Sequence, residues 1–102
     1  MNPFLKEKIL DIQGLCREYQ VKSFFLFGSG ATGTFTEQSD IDFLVKFRDE
    51  VPVLDYSDLF FGLHERLEKL LKRKVDLVPS DSLRNPYLIA SIEKTKLSLY
   101  EA

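Results

Sequence analysis

Apolar residues in this chain switch between two periods, and the switches mark out its elements. After Asn2-Pro3, an N-cap residue followed by proline at the first helical position, Leu5, Ile9, Ile12, Cys16 and Tyr19 recur at three- and four-residue steps. That spacing predicts an amphipathic helix. Val21 to Phe27 is a dense β-branched and aromatic run ending at Gly28, which predicts a buried strand. A small, polar stretch from Gly28 to Asp40 follows. Ile41 to Phe47 then alternates, with Ile41, Phe43, Val45 and Phe47 on one face and Asp42, Leu44 and Lys46 on the other, as in a second strand. Val51-Pro52-Val53-Leu54 reads as a connection, and Asp55 with Asp58 three residues on reads as a helix start. Leu59, Leu63, Leu67 and Leu70 form that helix's stripe, and Lys72-Arg73-Lys74 suits its C-terminal end. Val75 to Val78, stopped by Pro79, predicts a third strand. Pro86 seeds a short helix carrying Leu88, Ile89 and Ile92, and Lys96 to Tyr100 adds a last short strand. The order α-β-β-α-β-α-(β) predicts an α/β (α+β) fold, a small mixed β-sheet covered by helices.

At 102 residues, with no repeat or linker, the chain is expected to be one domain, residues 1–102. Apolar residues at 44% and charged residues at 29% exclude general disorder. Fourteen basic against sixteen acidic side chains give a net charge of -2, so no direct nucleic-acid binding through a basic surface is expected. The lone Cys16 can form neither an internal disulfide nor a multi-cysteine metal site. No apolar run approaches the roughly 20 residues of a membrane span, and no signal-peptide pattern opens the chain. A cytoplasmic protein with no membrane partner is expected; a homo-oligomer stays open.

Gly28-Ser29-Gly30-Ala31-Thr32-Gly33 satisfies G-x-G-x-x-G after a strand, and Asp49 lies about twenty residues on, as a dinucleotide fingerprint requires. The helix that should receive the pyrophosphate is missing, because Thr34 to Ser39 has no apolar stripe. A P-loop also fails, since Thr34 stands where its lysine should be. What remains is a glycine-rich turn able to bring backbone N–H groups close to an anion, with Ser29 adding a hydroxyl. A plain connecting turn is the alternative.

The carboxylates add to this. Asp40 and Asp42, at i and i+2 at the start of a strand, project from one face about 6.6–7 Å apart at Cα. Two neighbouring acids repel, and a divalent cation resolves the conflict; Mg²⁺ prefers carboxylate oxygens and keeps positions open for phosphate and water. Asp76, flanked by Val75 and Leu77, is a third acid in an otherwise apolar strand. Three carboxylates beside a phosphate-accepting turn describe a two-metal site for phosphoryl or nucleotidyl transfer. Singly, each acid also fits a solvated strand end or a sheet edge.

The motif Gly28-Ser29-x10-Asp40-Ile41-Asp42-Phe43-Leu44-Val45 resembles the signature of the DNA polymerase beta-like nucleotidyltransferase superfamily. More narrowly, the chain resembles the minimal nucleotidyltransferase (MNT) domain proteins, small antitoxins paired with HEPN-domain toxins. The resemblance runs from the first helix to Leu97-Ser98-Leu99-Tyr100. It implies that Gly28 and Ser29, with Gly30 and Thr32 in the same turn, hold the phosphates of a nucleoside triphosphate, ATP. Asp40, Asp42 and Asp76 would be the catalytic metal ligands for two Mg²⁺ ions. AMP would pass to a hydroxyl, a tyrosine of a HEPN-type toxin partner, with pyrophosphate leaving. Members commonly read Gly-Ser-Arg-Ala-Arg-Gly, whereas Gly30 and Thr32 stand at the two basic positions here. Lys46 and Lys74, on the strand faces of Asp42 and Asp76, are candidates to compensate. Loss of both charges also motivates two alternatives: an antitoxin that neutralises its partner by occlusion without catalysis, and a nucleotide-binding regulatory module.

Other residues read as structural. His64 lies beside the leucine stripe with no second histidine as a co-ligand, and Cys16 belongs to an apolar face. Phe24, Phe25, Phe27, Phe43 and Phe47 suit a core, while Phe35, in the polar loop, could stack on a base.

Overall fold

A computed structural model describes residues 3–28, 31 and 40–102. Helix α1 (Pro3–Glu18) leads into strand β1 (Val21–Phe27), which pairs antiparallel with β2 (Ile41–Phe47). Helix α2 (Val53–Leu71) carries the chain to β3 (Val75–Pro79), parallel to β2. A single 3-10 turn (Ser80–Ser82) and helix α3 (Pro86–Thr95) lead to β4 (Leu97–Glu101), antiparallel to β1. The sheet is mixed, in the order β3-β2-β1-β4. Both the fold class and the element order match the expectation from the sequence.

One sheet face carries the core. Phe24 and Leu26 of β1 and Ile41, Phe43, Val45 and Phe47 of β2 are buried against Leu5, Ile12, Leu15 and Cys16 of α1 and Leu63, Leu67 and Leu71 of α2. Phe24 and Phe43 stack at 4.7 Å between centroids. Burial pushes the Cys16 thiol up to about 12, well above its ordinary range, so it is an inert core residue. Helix α3 starts with Asn85 as N-cap, its side chain accepting from Tyr87 N (2.9 Å) and Leu88 N (3.3 Å), and Pro86 follows.

Four details depart from the sequence pattern. Helix α2 begins at Val53, not Asp55: Pro52 takes the N-cap with extended backbone, and Val53 and Leu54 form an exposed first turn. Its deepest residues are Leu63, Leu67 and Leu71, so the stripe drifts one position at its end and leaves Leu70 half-buried. Strand β3 runs through Pro79 rather than stopping before it. Lys74 O accepts from Ile41 N, so alternate amides from Val75 onward point away from β2, and the missing N–H of Pro79 falls on that outer edge. Finally, Leu44 is buried even though it lies on the face opposite the core.

Candidate active site

Parallel pairing sets Asp42 of β2 directly beside Asp76 of β3. Cross-strand partners project from the same side of a sheet, so the two carboxylates share the face that α1 and α2 leave uncovered. Asp40, exposed, stands two residues before Asp42 at the mouth of β2. On the other flank Asp42 pairs with Phe27, the last residue of β1. Gly28 follows with φ of 70°, in the left-handed region that favours glycine. Its Cα presses against Asp42 so closely that a β-carbon there would overlap the carboxylate oxygen Oδ2. Asp76, Asp42 and Gly28 thus form a row across three adjacent strands. Gly28 O also accepts a 3.1 Å hydrogen bond from Ala31 N. Ser29, Gly30, Thr32 and Phe35 lie outside the described residues.

The row is electrostatically one-sided. Burial, and then the charges of Asp76 and Asp40, raise the Asp42 carboxyl above the usual carboxylate range. No ion pair formed among the described residues includes any of the three acids. Their donors are all carboxylate oxygens, the chemistry Mg²⁺ selects. Among the described residues no group of three or more His, Cys, Asp or Glu is gathered closely enough to hold a metal ion by itself. An open carboxylate row fits an ion that retains water and takes phosphate oxygens as ligands.

Two residues of α2 fix one end of this row. Val75 begins the edge strand, and its outward backbone groups have no strand to meet. Val75 N donates to Glu68 Oε2 at 3.0 Å, and Val75 O lies 2.8 Å from His64 Nε2, which donates as the Nε2–H tautomer. His64 and Glu68, at i and i+4, approach each other at 3.7 Å. They clamp the residue preceding Asp76. His64 is structural, as the sequence suggests; Glu68 escaped notice there. The only signal for it was an i,i+4 polar pair on the helix that leads into β3.

The dinucleotide reading of Gly28 to Gly33 is excluded by topology. It needs parallel strands on either side of the motif, and β1 and β2 are antiparallel. Asp49, which would have met the ribose, instead faces Lys22 at 3.4 Å on the surface.

Comparison with known proteins follows the same line. The nucleotidyltransferase domain family matches residues 8–99. A Methanocaldococcus jannaschii protein, named as a candidate protein adenylyltransferase, is 49% identical over 77 residues, covering 76% of this chain and 75% of its own. The protein adenylyltransferase MntA of Thermococcus cleftensis is 41% identical over 71 residues, covering 70% of this chain and 68% of its own. Among solved structures, a toxin–antitoxin complex with AMP-PNP contains a chain that superposes with a TM-score of 0.71 at 26% identity, over 92% of this chain and 73% of that one. A second contains a tri-AMPylated Shewanella oneidensis HEPN toxin with its MNT antitoxin. It superposes at 0.64 over 95% of this chain and 72% of that one, and at 22% identity shows a shared fold. Among the described residues no helix is long and apolar enough to cross a membrane.

Proposed function

The chain belongs to the nucleotidyltransferase domain family and is an enzyme of that class, and on that footing we propose that it transfers AMP from ATP to a tyrosine hydroxyl of a HEPN-type toxin, acting as the antitoxin of the pair. The observation that carries the reading is the row Asp76–Asp42–Gly28, with acids at one end and a glycine turn at the other. The family match over residues 8–99 supports reading 1–102 as one minimal nucleotidyltransferase domain. The chain's relatives and structural neighbours, an adenylyltransferase MntA and a toxin–antitoxin complex with AMP-PNP, support the adenylyl donor and the partner.

Asp40, Asp42 and Asp76 would hold the Mg²⁺ ions, which when bound neutralise phosphate charge and polarise the reacting oxygens. Gly28, with Ser29, Gly30 and Thr32, receives the β- and γ-phosphates, because a residue without a β-carbon lets the triphosphate approach the backbone beside Asp42. Asp76, at the exposed edge strand, faces the incoming acceptor. The acceptor hydroxyl gives up its proton there as its oxygen bonds to the α-phosphorus, and the bond to pyrophosphate breaks. Asp76 is exposed on an edge strand, which leaves room there for the acceptor to be presented by a second protein.

Labelled ATP, Mg²⁺ and a HEPN-type toxin partner provide the test. Label should pass to a tyrosine of that protein with wild type and not with Asp40→Asn/Asp42→Asn. Gly30 and Thr32 favour a second reading, neutralisation by occlusion. In that case the double variant would still form the complex and still suppress toxicity in cells, without label transfer by either protein.

A further inference from the structure

The segment from Gly28 to Asp40 contains no lysine or arginine, although a nucleoside triphosphate brings about four negative charges. Any side-chain cation that assists the metal in meeting that charge therefore comes from elsewhere in the fold. Lys46 shares the face of Asp42 but lies four residues along β2, about 13 Å away, paired with Ser23 at the far end of the sheet. Lys74 is next to the mouth of β2, where its carbonyl accepts from Ile41 N. That places it on the β3 side of Asp42, away from Gly28.

Lys96 is placed differently. It is the C-cap of α3 and immediately precedes β4, whose first residue Leu97 pairs with Leu26. The same antiparallel register sets Lys96 level with Phe27, the residue that pairs with Asp42 on its other side. Lys96 and Asp42 are therefore about two strand spacings apart, ~10 Å at Cα, with the end of β1 and Gly28 between them. Its Nζ lies 4.2 Å from the ring centroid of Phe25. Phe25 pairs with Leu44, so it projects from the face that bears Asp42. The Lys96 side chain is only 21% exposed, and among the described residues its ion-pair partner is the well-exposed Glu93, at 2.8 Å. A lysine held against an aromatic ring and largely desolvated, beside a cluster of acids and across a glycine turn, is a cation waiting for a second anion.

We propose that Lys96 binds the β,γ-phosphates of the bound nucleotide and accompanies the departing pyrophosphate, supplying from β4 the positive charge that the turn lacks. The polyphosphate then lies across the end of β1, from the acids on β2 and β3 toward β4. Phe25 holds the ammonium over its ring and Glu93 pairs with it until phosphate takes the carboxylate's place.

This rests on the nucleotidyltransferase reading of the row, and the two are separable by comparing ATP with AMP in calorimetry with Mg²⁺ present. Wild type should bind ATP, Lys96→Gln should weaken ATP about tenfold or more while leaving AMP unchanged, and Lys96→Arg should recover most of the loss. Glu93→Gln, which removes the resting partner and keeps the lysine, should bind ATP at least as tightly as wild type. Equal weakening of ATP and AMP, unchanged ATP binding in Lys96→Gln, or a Glu93→Gln variant as poor as Lys96→Gln would overturn the role of Lys96. Wild type that binds neither nucleotide would instead remove the reading beneath it. Should Lys96→Gln fold poorly, Lys96→Met keeps the packing on Phe25 and loses only the charge, with the same outcomes expected.

Discussion

At Asp42, burial and the two neighbouring carboxylates act in the same direction, each raising the proton affinity of the folded state. The sign of the pH dependence follows. Over the interval just above the ordinary carboxylate range, the folded chain binds a proton there that the unfolded chain has released, so stability falls as pH rises through that interval. Asp42→Asn keeps the shape and removes the charge. With divalent ions chelated, its melting temperature should exceed that of wild type near pH 7, and the gap should close as pH falls toward about 4. Parallel melting curves across that range would mean that Asp42 bears no strain. The site thus spends some stability on crowded charge, a cost expected where acids are gathered for binding rather than for folding.

Edge strand β3 is held by a helix rather than by another strand. Glu68 and His64 take the outward N–H and C=O of Val75, which protects the edge and fixes the backbone leading into Asp76. Glu68→Ala strands the Val75 N–H and should cost about 1 kcal/mol, roughly 5 °C in melting temperature. AMP transfer should fall further than this loss of folded protein explains, because Asp76 shifts with Val75; transfer that merely tracks the folded fraction would restrict Glu68 to stability. At this scale the sequence was legible wherever apolar period alone decides. The elements stand where their patterns put them, though the α2 stripe ends on Leu71 instead of Leu70 and only Val21, Phe24 and Leu26 of the β1 run are fully buried. Val53 and Leu54 were read as connection because they lie exposed and off the apolar stripe, and Pro79 was misread as a stop, because whether a proline is tolerated in a strand depends on which side of it has a neighbour. The spacing of Asp40 and Asp42 was visible along the chain, and Asp76 stood out as an acid among β-branched residues. Their meeting depends on the parallel register of β2 and β3, which no local pattern encodes. Glu68 and Lys96 were illegible for a related reason: one partners a backbone amide, and the other an aromatic ring far along the chain.

Across the whole molecule the sheet divides two tasks. One face packs Phe24, Phe43 and the leucines of α1 and α2 into the core, while the other exposes the acid row with Lys96 to its side. Because the row shares no face with the core, removing its charges leaves the packing intact, and the chain with Asp40, Asp42 and Asp76 all changed to Asn should fold. Its stability relative to wild type then depends on what is bound. In chelator the variant melts higher, since three clustered charges are gone. With Mg²⁺ and a non-hydrolysable ATP analogue, wild type gains RT ln(1 + [L]/Kd), about 2.7 kcal/mol at a hundredfold excess over Kd, and the variant gains almost nothing. The order of the two melting temperatures should therefore reverse on adding metal and nucleotide together, with neither alone giving the full shift. An unchanged order would mean that the acids serve neither ion nor triphosphate, and a reversal with Mg²⁺ alone would mean that the ion sits without needing the phosphates as ligands.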